Sequence, residues 1–86
     1  MPSSDIMEMV NIVAKTVVYQ GNLKIYKVTF SNNEKRYFTA SYFDIIDNHL
    51  SKYNVEYYIS DKEFAPIIFE TTQHKALLMP IRYTGN

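Results

Sequence analysis

Residues 41–53 read SYFDIIDNHLSKY, and in this stretch the spacing of apolar residues differs from that in the rest of the chain. Apolar side chains recur here at steps of three and four residues, at Tyr42, Phe43, Ile46, Leu50 and Tyr53. Such steps place side chains on one face of a helix, so the stretch predicts an amphipathic α-helix. Thr39 or Ser41 can cap its start. Asp44 and Asp47 lie toward the positive end of the helix dipole, and Asn54 suits the exit.

Before this helix, apolar and polar residues alternate, as they do in β-strands. Residues 10–19, 23–30 and 34–40 predict three strands, separated by the turn sequences Gln-Gly-Asn at 20–22 and Ser-Asn-Asn at 31–33. Two successive hairpins of this kind make an antiparallel meander.

After the helix, the same alternation returns. Residues 55–60 (VEYYIS), 64–72 (FAPIIFETT) and 75–83 (KALLMPIRY) predict three further strands, the last of which contains Pro80. The order β-β-β-α-β-β-β predicts an α+β fold, with an antiparallel sheet and a single helix packed on one face. We expect residues 1–9 to form a flexible N-terminal arm and residues 10–86 to form a single domain.

The composition limits the possible functions. The chain has 86 residues, a formal net charge of zero, 8 Tyr, 5 Phe and no Cys. This is the composition of one small globular domain without disulfides or thiolate metal sites. Zero net charge argues against a monomer that binds nucleic acid by bulk charge, although it allows a local basic face. The N-terminal sequence has no basic region followed by an apolar run, so we expect a cytoplasmic protein that does not associate with membranes.

Candidate catalytic groups are sparse. His49 and His74 are far apart in sequence, and Asp44 and Asp47 form either a carboxylate pair or a solvated helix face. No phosphate-binding loop, calcium loop or metalloprotease helix is recognisable. The sequence therefore predicts no enzyme, no cofactor and no metal site.

Basic residues cluster weakly around the first two hairpins. Those that could face DNA are Lys24, Lys27, Lys35 and Arg36, together with Lys52 of the helix region. Aromatic residues lie between them, as in proteins that bind single strands by stacking and charge. The aromatics also alternate as core residues should, so a nucleic-acid surface and a plain core remain alternative interpretations.

Residues 28–83 resemble the C-terminal half of the last domain of the bacterial sliding clamp, the DNA polymerase III β subunit. The likeness is carried by four motifs in order. These are residues 38–43 (FTASYF) at the helix start, 55–61 (VEYYISD), 66–70 (PIIFE), and the ending 77–82 (LLMPIR). In the clamps, as here, the chain stops soon after the last motif.

The resemblance implies a clamp half-domain. A clamp domain contains two such halves, and three domains per chain close as a ring of two chains around double-stranded DNA. One half alone would have open sheet edges and uncovered apolar surface. The resemblance therefore implies that this chain is its own partner, as a homodimer or a larger assembly that could close as a ring.

The resemblance also implies a client-peptide site beside the C-terminus, where clamps bind polymerases and other partner proteins. Carried over by position, its residues are Tyr42, Phe64, Pro66, Leu78, Met79, Pro80, Ile81 and Arg82. A flexible Met and a strand-interrupting Pro suit an adaptable apolar groove. Leu77, Leu78 and Ile81 can alternatively be core residues.

Two departures from the family limit this expectation. The neighbouring domain that completes the clamp's peptide pocket does not match any part of this chain. The helix, which in clamps carries basic residues toward DNA, here carries Asp44 and Asp47. The leading hypothesis is a clamp-like platform of DNA replication or repair. The alternatives are a phage- or plasmid-encoded decoy that mimics or binds a host clamp, and an isolated nucleic-acid-binding domain.

Overall fold

Eight elements of secondary structure follow one another in the computed structural model, which describes residues 7–85. They are β1 (Met7–Val10), β2 (Ile12–Gln20), β3 (Leu23–Phe30), β4 (Lys35–Thr39), α1 (Ala40–Leu50), β5 (Glu56–Ser60), β6 (Ile67–Glu70) and β7 (Lys75–Leu78). The fold class is α+β, as predicted from the sequence. The order within the described residues is β-β-β-β-α-β-β-β, with one strand more than expected.

The strands form two antiparallel sheets, where the sequence suggested one. The four-stranded sheet has the order β1-β5-β6-β7, and the three-stranded sheet has the order β2-β3-β4. The additional strand, β1, pairs with β5. The prediction of a flexible arm is thus wrong for residues 7–9, which belong to β1. Residues 1–6 of the predicted arm lie outside the described part of the chain.

The hairpin of β2 and β3 follows from its turn. Gln20 pairs with Leu23, which leaves a two-residue loop of Gly21 and Asn22. Gly21 has φ +62°, a conformation that glycine adopts without steric cost. A positive φ at the first loop residue alone is typical of a type II′ turn, whose twist suits a two-residue hairpin.

One side of each sheet faces the core. Directly opposite residues share a face, so the pairing of Tyr26 with Phe38 places both on the inner side of the three-stranded sheet. Phe69 and Ile67 line the inner side of the four-stranded sheet. Phe43 of α1 lies between these layers, with its ring centroid 5.5 Å from those of Tyr26 and Phe69. The core is therefore closed by one face of α1.

Helix α1 begins after Thr39 and ends at Leu50, three residues before the end of the predicted stretch. Thr39 is the N-cap residue, but its side chain makes no capping hydrogen bond. Asp44 and Asp47 lie beyond the first turn, so the expected interaction with the positive end of the dipole does not arise there. Among residues 7–85, no helix is long and apolar enough to cross a membrane.

The chain passes from one sheet to the other at Asn11, between β1 and β2. The Asn11 N–H donates to the Ser31 Oγ at 3.0 Å, and the Ser31 N–H donates to the Asn11 carbonyl oxygen at 2.8 Å. These bonds fix the corner of β1 and β2 to the β3–β4 turn. The corner between the two sheets is thus held by contacts between residues 20 positions apart.

The predicted last strand ends early, at Leu78. Pro80 has no N–H to donate to a ladder, and the chain leaves the four-stranded sheet before it. Residues 79–85, here called the tail, run to the three-stranded sheet, where the Ile81 N–H donates to the Tyr37 carbonyl oxygen at 2.8 Å. Tyr83 stacks on Tyr37 with ring centroids 4.9 Å apart.

The tail continues across the outer face of the three-stranded sheet. The Thr84 N–H donates to the Gln20 Oε1 at 2.9 Å, so the tail reaches from β4 to β2. By strand register, Gln20, Ile25 and Tyr37 all lie on this outer face. Ile25 is fully buried although it is not a member of the main core cluster. We attribute its burial to the tail that crosses this face.

Candidate functional site

Most of the predicted client-peptide residues lie together at one end of the four-stranded sheet. Phe64 and Pro66 precede β6, and Met79, Pro80, Ile81 and Arg82 follow β7. The pairing of Ile67 with Leu78 brings the residues before β6 and after β7 to the same end of the sheet. The Arg82 guanidinium carbon lies 5.3 Å from the centroid of the Phe64 ring. We call these six residues the client cluster.

Leu78 does not belong to this surface. Its side chain is 8% exposed and is part of the core cluster, so its prediction as a peptide-binding residue is wrong. Leu77, for which a core position was an alternative, is instead 59% exposed. Leu77 pairs with Ile68 on the outer face, whereas Leu78 pairs with Ile67 on the core face. The pairing of β6 with β7 therefore determines which of the two leucines is buried, because successive residues of a strand face opposite sides of the sheet.

Tyr42 lies in the first turn of α1 and is 61% exposed. Its position relative to the client cluster follows from the direction of the helix. His49, near the end of α1, contacts His74 just before β7. Ile81, beyond β7, contacts Tyr37 just before α1. Helix α1 and β7 therefore run in opposite directions, and Tyr42 lies toward the end of the helix nearest the tail.

A cavity of about 270 Å³ lies between α1 and β7, at the other end of this helix. Its lining residues are Ile45, Ile46, His49, Leu50, His74, Lys75 and Ala76, here called the α1–β7 groove. None of the predicted client residues is among them. Four of the lining residues are apolar, the other three are two histidines and one lysine, and no carboxylate lines the cavity. An apolar side chain accompanied by a negative charge would suit this lining.

The sequence held one signal for the groove. Ile45 lies outside the apolar stripe that predicted the helix, and it is indeed exposed. The neighbouring Ile46 belongs to the stripe and packs against the core. The position of His74 in the groove is supported by aromatic contacts. The centroid of its ring lies 5.0 Å from that of Tyr53 and 6.1 Å from that of His49. A single exposed apolar residue is ordinary on a protein surface, so Ile45 is informative only together with the cavity that it lines.

The residues predicted to face DNA do not share one surface. Lys24 lies on the inner side of the three-stranded sheet, with its ammonium nitrogen 5.8 Å from the centroid of the Tyr26 ring. By register, Lys27 and Lys35 lie on the opposite side, which the tail crosses. Lys52 lies beyond the end of α1, next to Tyr53. Lys27 and Lys35 therefore share the outer face, whereas Lys24 and Arg36 lie on the inner side and Lys52 lies outside this sheet.

Arg36 is the clearest correction to that set. It is 4% exposed, and its side chain points to the inner face opposite Val28. Its Nη1 donates to Glu34 Oε1 at 2.9 Å, and its Nη2 donates to the Ser60 carbonyl oxygen at 3.0 Å. A guanidinium held in this way cannot reach a phosphate, so its prediction as a DNA-facing residue is wrong.

Asp44, the first acidic residue of α1, has a structural partner. The Tyr26 hydroxyl donates to the carboxylate of Asp44, with distances of 2.8 and 2.9 Å to its two oxygens. This hydrogen bond, together with burial and the charges of Asp44 and Asp47, raises the pKa of Tyr26 above its usual value. Within residues 7–85, no three His, Asp or Glu side chains are grouped so that they could hold a metal ion.

Comparison with known proteins gives no match, whether to family models, to curated protein sequences or to solved structures. The resemblance of residues 28–83 to the sliding clamp therefore stays a prediction from sequence motifs. The observed architecture agrees with it at the level of fold class, an α+β domain with antiparallel sheets and one helix.

Proposed function

We propose that this chain is a self-associating, sliding-clamp-like recruitment platform of DNA replication or repair, which binds short linear peptides of partner proteins. The observation that carries the proposal is the α1–β7 groove, a mostly apolar cavity of about 270 Å³ that the exposed Ile45 lines, while the exposed Tyr42 lies toward the opposite end of α1. The client cluster, which the clamp resemblance assigns to peptide binding, adds the exposed Phe64 and Met79.

The lining of the groove indicates what kind of peptide it binds. Ile45, Ile46 and Ala76 offer an apolar lining for one aliphatic or aromatic side chain. Lys75 also lines the groove, and its ammonium group can attract a carboxylate. In the client cluster, Arg82 lies over the Phe64 ring, and its guanidinium can donate to a peptide carbonyl or carboxylate. An extended peptide with apolar anchors and at least one acidic group fits this arrangement.

The expected affinity is modest. Each fully buried apolar anchor contributes about 1.5–3 kcal/mol. The loss of translational freedom and the ordering of a flexible peptide offset much of that sum. Two or three anchors therefore give dissociation constants on the order of 10–1,000 µM. Several copies of the chain in one assembly would bind a multivalent partner more tightly than one copy does.

The test uses a fluorescein-labelled peptide that carries the clamp-binding segment of a bacterial replicative polymerase. Its binding to the chain is measured by fluorescence anisotropy. Ile45→Glu and Met79→Glu each place a charge on an exposed apolar position, and both are expected to weaken binding at least about tenfold, or 1.4 kcal/mol. Leu23→Glu is the matched control, because Leu23 is also exposed and apolar but lies at the β2–β3 turn. Its binding is expected to remain unchanged.

Two outcomes would overturn the proposal. One is the absence of binding by the wild-type chain at millimolar concentration, and the other is an equal loss of binding for all three variants. Salt-sensitive binding to linear oligonucleotides in place of the peptide would favour the isolated nucleic-acid-binding domain. Capture of a clamp subunit, with no affinity for the peptide, would favour the decoy.

A further inference from the structure

The β2 strand has an unusually open edge. Among the four edge strands of the described chain, β1 and β7 have four residues each, and β4 receives the Ile81 N–H from the tail. β2 has nine residues, from Ile12 to Gln20, and pairs on one side only. A long edge of this kind offers a row of unpaired backbone groups to another strand.

The side chains of β2 are also less covered than those of its neighbour. Val13, Val17 and Tyr19 are 62%, 44% and 57% exposed, whereas Tyr26 and Val28 on β3 are buried. β2 thus extends the three-stranded sheet beyond the part that the core covers. Apolar β-branched and aromatic residues at such an edge favour pairing with a further strand.

The hairpin geometry shows which backbone groups point outward. In an antiparallel ladder, successive residues direct their N–H and C=O alternately toward one neighbour and away from it. The pair that flanks a two-residue loop, here Gln20 and Leu23, is a hydrogen-bonded pair. Counting back from Gln20, the residues that direct their backbone groups to the open side are Tyr19, Val17 and Lys15.

We infer that the partner of this edge is β2 of a second copy, paired antiparallel about a two-fold axis at Val17. The inference gives a surface to the self-association in the proposed function, and it rests on that part alone. In this register Val17 lies opposite Val17 of the second copy, and Lys15 lies opposite its Tyr19. All three outward-facing residues then form hydrogen-bonded pairs with the second copy.

The charges of the two copies are compatible with this register. The Lys15 ammonium lies 4.5 Å from the centroid of the Tyr26 ring and 5.3 Å from that of Phe43, so it packs along the inner face and does not project across the edge. The two Lys15 residues would be four strand positions apart, about 13 Å, which exceeds the Debye length at physiological salt. The formal net charge of zero removes long-range repulsion between the copies.

Pairing of this kind would join two three-stranded sheets into one of six strands. Because opposite residues in an antiparallel pair share a face, the inner faces of both copies would lie on the same side of the joined sheet. The two α1 helices would therefore also lie on one side. None of the residues that line the α1–β7 groove belongs to β2, so the strand pairing does not use them.

The chain contains no cysteine, which permits a register-specific test. Val17→Cys places one thiol on the proposed axis, where the expected Cα separation of about 5.5 Å allows a disulfide. Val13→Cys is the control, because it is at least as exposed and would lie opposite Gly21 of the second copy, far from its own counterpart. Under mild oxidation Val17→Cys is expected to form covalent dimers at least about ten times faster than Val13→Cys.

Sedimentation at about 10–100 µM complements the crosslinking, because it detects dimers whose dissociation constants are of this order or lower. The wild-type chain is expected to sediment as a dimer. Val17→Pro removes an N–H that does not serve the β2–β3 ladder, so it is expected to give a folded monomer. Equal crosslinking of the two cysteine variants, or a wild-type monomer at 100 µM, would overturn the inference. A monomer that binds the client peptide would leave the peptide site standing, whereas a dimer without peptide binding would leave only the β2 interface.

Discussion

The Arg36 guanidinium, on β4, donates to the carbonyl oxygen of Ser60, at the end of β5, over 3.0 Å. Both residues are buried, and the bond joins the three-stranded sheet to the four-stranded sheet. A second nitrogen of the same guanidinium is paired with Glu34. Arg36 therefore supports the assembly of the two sheets, which is a role that its position among surface lysines in the sequence did not indicate.

Replacing Arg36 by Met tests this role. The change removes a buried charge-assisted bond and leaves the Ser60 carbonyl oxygen without this donor, so we expect a loss of about 2–4 kcal/mol in the free energy of unfolding. Lys35→Met, one residue earlier and exposed, is expected to change it by less than about 0.5 kcal/mol. Urea unfolding followed by circular dichroism measures both, and similar values for the two variants would contradict the role of Arg36.

The bond between Tyr26 and Asp44 makes stability depend on alkaline pH. The pKa of Tyr26 is raised in the folded chain, first by the hydrogen bond to Asp44 and then by burial. Below pH 10, about the ordinary pKa of tyrosine, both folded and unfolded chains keep the proton and the bond contributes in full. As pH rises from there through the folded pKa, the unfolded chain ionises first, and this contribution to stability is lost.

Asp44→Asn checks this dependence. Removal of the carboxylate charge is expected to move the pKa of Tyr26 back toward the ordinary value and to lessen the alkaline loss. Ultraviolet titration of tyrosinate, with Tyr26→Phe to identify the signal, measures the shift. Asp47→Asn should have a smaller effect, because Asp47 acts on Tyr26 only through charge. An unchanged tyrosinate titration in Asp44→Asn would refute the assignment.

The stacked rings of Tyr37 and Tyr83 hold the tail on the outer face of the three-stranded sheet. A double-mutant cycle of Tyr37→Leu and Tyr83→Leu is expected to give a coupling free energy of about 0.5–1.5 kcal/mol. Tyr37→Leu combined with Tyr58→Leu, a tyrosine of the other sheet, should be additive within about 0.5 kcal/mol. Additivity in the first cycle as well would show that the tail does not bind this face in solution.

Phe43 and Tyr42 are neighbours in sequence but differ in environment. Phe43 is 1% exposed and contacts three aromatic rings of the core, whereas Tyr42 points outward. We expect Phe43→Ala to cost about 3–5 kcal/mol of stability, a large share of what so small a domain has. Tyr42→Ala should leave the melting temperature almost unchanged and should weaken binding of the client peptide. A loss of stability in both variants would place Tyr42 in the core.

The elements that sequence predicted best are those with local causes. The β2–β3 hairpin depends on a two-residue turn with Gly21 at its first position, and α1 depends on apolar spacing within its own eleven residues. β1 was missed because it has only four residues, of which Val10 alone is buried. Such a short strand exists only through its pairing with β5, which lies far along the chain.

The candidate site shows the same limit. Tyr42, Phe64 and Met79 are exposed because each belongs to an element end or a connecting segment, and their binding of a peptide stays a prediction. Leu77 and Leu78 could not be told apart, because a nearly continuous apolar run carries no alternation to read. The α1–β7 groove was missed because its two walls are more than 20 residues apart in sequence and meet only through the packing of α1.

By itself, the sequence determined the α+β class, the central helix, the first hairpins and the absence of cysteine chemistry. These follow from composition, periodicity and turn residues, which act over a few positions. Only the tertiary structure decided that there are two sheets, that Arg36 is buried between them, and that the tail leaves β7 to cross the outer face over Ile25. The physical reason is that strand pairing and burial join residues distant in sequence, and neither the partner nor the register is encoded in any one segment.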